Sequence, residues 1–175
     1  MRTRATVQIP EHHKNLAKHL RERFGEPASI VVYRDEHGTS PVPIGHFGPP
    51  KNCFFSTIGI CDMLLGVPKG QYELAASGHL TWLPNAIASS IYWLRDRECQ
   101  DWPLVCEDVV KHNATSTYRH LGYVPSVYTY QAPLGPAVKW LLGVPLRDSE
   151  ISLDLKECIQ KARRRYPSWF FEEGT

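Results

Sequence analysis

Residues 54–76 read Phe54-Phe55-Ser56-Thr57-Ile58-Gly59-Ile60-Cys61-Asp62-Met63-Leu64-Leu65-Gly66-Val67-Pro68-Lys69-Gly70-Gln71-Tyr72-Glu73-Leu74-Ala75-Ala76. The run 54–60 is apolar and rich in aromatic and β-branched side chains, which predicts a buried strand. Gly59 within it marks a bulge or a close backbone approach. Val67-Pro68-Lys69-Gly70 carries turn chemistry, and a second strand is expected over 71–76. The two strands read as an antiparallel pair with an elaborated connection. Asp62 and Glu73 lie beside these apolar segments, and a buried carboxylate must be paired or hydrogen-bonded. They either anchor loops through backbone amides or an Arg, or form a polar hot spot at a cleft.

N-terminal to this pair, residues 11–24 predict a helix, with Leu16, Leu20 and Phe24 spaced four apart. Pro10 precedes it and Gly25-Glu26-Pro27 ends it. Ser29–Tyr33 is β-branched and aromatic and predicts a strand. Residues 34–52, dense in Pro and Gly, predict a long loop. C-terminal to the pair, a helix is expected over 85–97 with Asn85 as its N-cap. A second is expected from Asp101-Trp102-Pro103, with Leu104, Val105 and Val109 inward. Residues 113–137 read as mostly extended, their prolines confining them to edges or ends. Residues 138–142 predict the last strand, ending at Gly143-Val144-Pro145. The final helix is expected over 149–165, started by Asp148 or Ser149. Its apolar face is Ile151, Leu155, Cys158, Ile159, Ala162 and Tyr166. Trp169-Phe170-Phe171 forms an aromatic tail that docks either on the core or on a partner.

This order, with no βαβ alternation, predicts a single α+β domain: a mixed, mostly antiparallel central sheet flanked by helices. The length of 175 residues suits one domain. No run approaches the roughly 20 apolar residues of a membrane span. No continuous apolar stretch follows Met1-Arg2-Thr3-Arg4, so no secretory signal peptide and a cytoplasmic setting are expected. With 20 basic against 18 acidic residues, an electrostatic grip on nucleic acid is not indicated.

The chemistry-bearing residues follow no catalytic motif. Phosphate-cradling glycine loops and a nucleophile elbow are absent from the sequence. Cys53, Cys61, Cys99, Cys106 and Cys158 form no C-x-x-C pair, so they read as free thiols in the core and no metal or other cofactor is called. Cys106 and His112 share the helix expected from residue 101, but at a spacing that points them to different sides. His12 and His19 share a helix face and read as solvated. The 19 aromatic residues divide between core packing and a binding face; Trp82, Tyr92, Trp93 and Trp169 are candidate contacts for a protein partner, and core packing accounts for most of them equally well. Arg163, Arg164 and Arg165 complement a helix dipole.

Taken in order, Val31-Val32-Tyr33-Arg34, the segment Ser56-Thr57-Ile58-Gly59-Ile60-Cys61-Asp62, then Tyr72-Glu73-Leu74, Trp102-Pro103 and Val144–Glu150 resemble the Suppressor of fused-like domain family. The resemblance spans about residues 29–160 of a domain covering 1–175. It makes Ser56, Thr57, Gly59, Asp62, Tyr72 and Glu73 the structural motif, with Cys61 where the family usually has Ser. It implies a mixed α/β domain that binds another protein and performs no chemistry. The animal member grips an extended peptide of a transcription factor, and bacterial members are often immunity proteins of toxin systems. A small chain without catalytic motifs fits the bacterial type, a monomer or weak dimer that neutralises a toxin encoded beside it. Two other readings stand beside it: an enzyme using Asp62 and Glu73 with a nearby His such as His79, and a regulatory subunit whose aromatic tail docks on another chain.

Overall fold

The structure is a computed structural model and describes residues 8–26, 29–35, 41–63, 65–68, 70–99 and 101–173. Helix α1 spans Glu11–Phe24, as expected. The Pro10 carbonyl accepts from the His13 and Lys14 amides, and Gly25, at φ +87, closes the far end. Strand β1 (Ser29–Tyr33) also falls where expected and pairs with β2 (Val42–Phe47).

Strand β2 corrects the predicted loop over 34–52, of which residues 36–40 lie outside the described residues. Pro43 obscured it. An extended residue turns its N–H and C=O to the same side. The Pro43 carbonyl accepts from the Ile58 amide at 3.0 Å, so its missing donor faces the end of the next strand and costs no bond to β1.

Strands β3 (Cys53–Thr57) and β4 (Tyr72–Gly78) form the antiparallel pair anticipated from residues 54–76. Helix α2 (Leu83–Arg95) follows, two residues earlier than predicted. Pro84 sits in its first turn, where the lost N–H would be unsatisfied anyway, and Asn85 is helical instead of a cap. No helix begins at Asp101. Leu104–Cys106 is a short strand, β5, and Asp108, at φ +57, is in a conformation no helix continues through. Cys106 and His112 therefore share no helix.

Strand β6 (His120–Gln131) lies within the stretch read as extended. Its Pro125 is past the end of β5, which pairs only with Leu121–Tyr123, so no donor is missed. Strand β7 (Ala137–Leu146) runs through Gly143 and Pro145, longer than expected. A Cβ on Gly143 would lie 2.9 Å from the Ala75 carbonyl oxygen, so the neighbouring strand requires glycine there. Helix α3 is only Leu155–Arg163. Asp154 and Glu157 form a capping box that starts it late, after a 3-10 turn at Asp148–Glu150, and Ile151 is left exposed.

The seven strands form one open sheet in the order β1-β2-β3-β4-β7-β6-β5. Only β4 and β7 run parallel. The fold is a single α+β domain with a mixed, mostly antiparallel sheet flanked by helices, as expected, but the described residues form three α-helices where four were predicted. Strands β3 and β4 are buried on both faces, which explains their unbroken apolar runs. One face packs Val42, Ile44, Leu74 and Leu141 against Leu83, Ile87 and Ile91 of α2. The other packs Phe47, Phe54, Trp140 and Leu142 against Leu16 and Leu20 of α1, Cys158 and Ala162 of α3, and Phe170. All five cysteines are free, and four are buried.

Candidate functional site

The link between β3 and β4 is organised around one carboxylate. Glu73 is fully buried on β4. Its Oε2 accepts from the Thr57 hydroxyl at 2.5 Å and the Ile60 amide at 3.2 Å. Its Oε1 accepts from the Gly59 and Cys61 amides at 2.8 and 3.2 Å. Thr57 Oγ1 in turn accepts from the Leu74 amide at 2.8 Å. Burial pushes the Glu73 carboxyl above its usual range, opposed by these donors. Burial beside Glu73 and Asp62 also pushes the Cys61 thiol strongly up, so it stays protonated. Ser56 donates to the Thr57 carbonyl at 2.9 Å and accepts from the Trp140 indole at 3.1 Å. Tyr72 is buried with its ring edge toward Trp102.

Gly59 has φ +94 and begins a 3-10 turn, Ile60–Asp62, which brings Asp62 out toward α1. Asp62 Oδ2 lies 2.8 Å from His12 Nε2 and 2.6 Å from His13 Nε2. Burial alone would raise the Asp62 carboxyl, but the two imidazoles outweigh it and hold the group below its ordinary range. The two His rings meet edge-on, 4.4 Å between centroids. A Cβ on Gly59 would fall 2.3 Å from His13 Cε1; the glycine lies past the end of β3, and its close neighbour is a side chain instead of the bulge or backbone approach expected within a strand.

Of the two carboxylates singled out from the sequence, Glu73 is spent on loop amides and Asp62 is paired with two histidines. His79 joins neither. It is exposed beyond the opposite end of β4, six residues from Glu73, or about 20 Å along an extended strand. His12 is half-buried against Asp62 instead of solvated, and His19 turns away to stack on Tyr130 at 4.1 Å. The sequence carried no local sign of the His12–His13–Asp62 group, because its members lie some 50 residues apart.

The four aromatic candidates do not form one patch. Trp82 is buried at the start of α2 beside Tyr118 and lines a shallow groove with Asn85, Val109 and His112. A second groove shares Asn85 and His112 and runs on past Tyr92 to Tyr33. Trp93 is half-buried under the Arg97 guanidinium. Trp169 is half-buried on the other side of the sheet, stacked on Phe170 and capped by Arg23. The tail thus docks on the chain's own core.

The feature that sequence reasoning underrated is β1. It lies at one edge of the sheet, and Ile30, Val31 and Val32 are 54, 41 and 47% exposed. Their apolar character was legible, but their place at an edge required the order of all seven strands. Among the described residues, no helix is long and apolar enough to cross a membrane. Comparison of the chain with models of protein families, with curated proteins and with solved structures finds no match.

Proposed function

We propose that the chain is a protein-binding module that takes an extended segment of its partner along β1. The observation that carries this reading is the exposed apolar edge. A sheet edge offers a row of backbone donors and acceptors, and soluble proteins ordinarily blunt such edges with charge, proline or a bulge. Here Ile30, Val31 and Val32 are left uncovered, which suits strand addition with apolar pockets for alternate side chains. The grooves from Trp82 to Tyr33 continue that surface along α2.

The partner in this reading is a bacterial toxin, and the chain is its cytoplasmic immunity protein. This step rests on the resemblance carried by Ser56–Asp62 and Tyr72–Leu74. The near-neutral charge agrees with a protein partner and not a nucleic acid. Co-expression with the toxin encoded beside it is the test. The chain is expected to co-purify with the toxin and to restore growth. The double substitution Ile30→Asp, Val32→Asp is expected to abolish both while the protein stays folded. Rescue undiminished in that variant removes β1 from the interface, and absence of both binding and rescue ends the immunity reading.

A further inference from the structure

We propose that His12, His13 and Asp62 form a binding site for a divalent transition-metal cation, with Zn²⁺ the ion best suited to the donor set. One ligand atom from each residue lies within 4.8 Å of the other two. A tetrahedral ion with bonds of about 2.0–2.1 Å needs its donors roughly 3.4 Å apart. Asp62 Oδ2, now 2.6–2.8 Å from both imidazole nitrogens, would reach that spacing by withdrawing less than about 1 Å. Two imidazoles and one carboxylate are borderline donors, suited to zinc and its neighbours and not to the all-oxygen shells of Ca²⁺ or Mg²⁺.

Two independent features show that this convergence is built. Neighbouring residues on a helix diverge by about 100°, so His12 and His13 do not share a target by helix periodicity. They nonetheless direct both Nε2 atoms at one oxygen. In addition, two glycines on separate loops make room for the two histidines. A Cβ on Gly59 would strike the His13 ring at 2.3 Å, and one on Gly135 would lie 2.6 Å from His12 Cβ. Behind Asp62, the turn is locked by the amides of Gly59, Ile60 and Cys61 on Glu73, which presets the carboxylate.

The site is of the open kind. The described residues supply three ligands, and the side chains of Asp62, His12 and His13 keep 39, 23 and 18% exposure. A fourth position therefore faces solvent and takes a water or a small anion. The ion also ties α1 to the β3–β4 link, joining segments some 50 residues apart.

The test uses the full chain, stripped with a chelator and dialysed against Zn²⁺, with Co²⁺ as a spectroscopic probe. One equivalent of Zn²⁺ is expected, and Co²⁺ should show visible bands of a tetrahedral nitrogen–oxygen site without thiolate charge transfer. His13→Gln and Asp62→Asn should each weaken binding at least about ten-fold. His79→Gln and His112→Gln, both exposed elsewhere, should leave it unchanged. Circular dichroism on each variant separates lost ligation from lost folding, and the Co²⁺ spectrum of the unaltered chain decides the matter if a variant fails to fold. Thiolate bands, undiminished binding in both ligand variants, or no stoichiometric binding would overturn the proposal and leave Asp62 as a carboxylate bridged between two imidazoles.

Discussion

Glu73 is a carboxylate with four donors and no access to water, and that sets what each neighbour can tolerate. Replacing it with Gln puts an NH₂ group against amides that can only donate. Glu73→Gln is therefore expected to lower stability by about 2–4 kcal/mol, read from urea unfolding midpoints. Gly59 has two constraints at once, a positive φ and the His13 ring. Gly59→Ala should cost at least about 1–2 kcal/mol from the backbone alone, and it should also displace His13. The same urea measurement checks it, and a change under 0.5 kcal/mol would contradict both constraints. At this scale the sequence was legible where the cause is local. Of the two roles open to Glu73, loop anchor or polar hot spot, the amides of Gly59, Ile60 and Cys61 take up the first, whereas Gly59 lies in the turn after β3 and meets a side chain and not a backbone. The partners of Asp62 were not legible, because they come from α1, a contact that no spacing in the chain encodes.

Secondary elements were legible where one periodicity ruled and illegible where end effects did. Helix α1 and strands β1 and β4 follow their patterns, whereas β3 stops at Thr57, short of the strand predicted to residue 60, because the chain turns at Gly59 with φ +94. The helix expected at 149–165 failed because the Asp154–Glu157 capping box restarts the chain, so Glu150 leaves the helix and bonds to it from outside. Lys161 Nζ lies 2.6 Å from Glu150 Oε1. Burial alone would raise the Glu150 carboxyl, but Lys161 and the Arg147 amide hold it below its ordinary value of 4.5. A carboxyl depressed in the folded state adds stability above its unfolded value, and that stability is lost as pH falls through the folded one. Lys161→Met is thus expected to cost about 0.5–1 kcal/mol at neutral pH and little in acid. Thermal melts of both proteins from pH about 7 down to about 3 should converge. Melts that stay equally far apart would show that the Lys161 stem, and not the ion pair, carries the effect.

Across the whole molecule, one sheet separates two cores, and each depends on the other through β3, β4 and β7. The fold class was legible, because the order of the elements lacks βαβ alternation. Which helix covers which face was not, since that depends on the single parallel pairing of β4 with β7. The aromatic tail makes the dependence testable. Phe170 is fully buried, with its ring 5.7 Å from those of both Trp140 and Phe54, and Phe24 stacks on Phe54 at 3.8 Å. The 3-10 turn at Ser168–Phe171 thus clamps α1 to the sheet, and α1 carries His12 and His13. Phe170→Ala is expected to lose about 3–5 kcal/mol, most of the stability an ordinary domain has to spare. Because β3, β4 and β7 serve both cores, the loss should appear as one cooperative transition at a lower midpoint. Trp140 and Trp169 report the second core, whereas Trp82, Trp93 and Trp102 report the first. Fluorescence of variants keeping only one group of tryptophans should therefore melt together with the far-ultraviolet dichroism. If the second core melts early while the first holds, the sheet does not couple them, and the tail stabilises α1 alone.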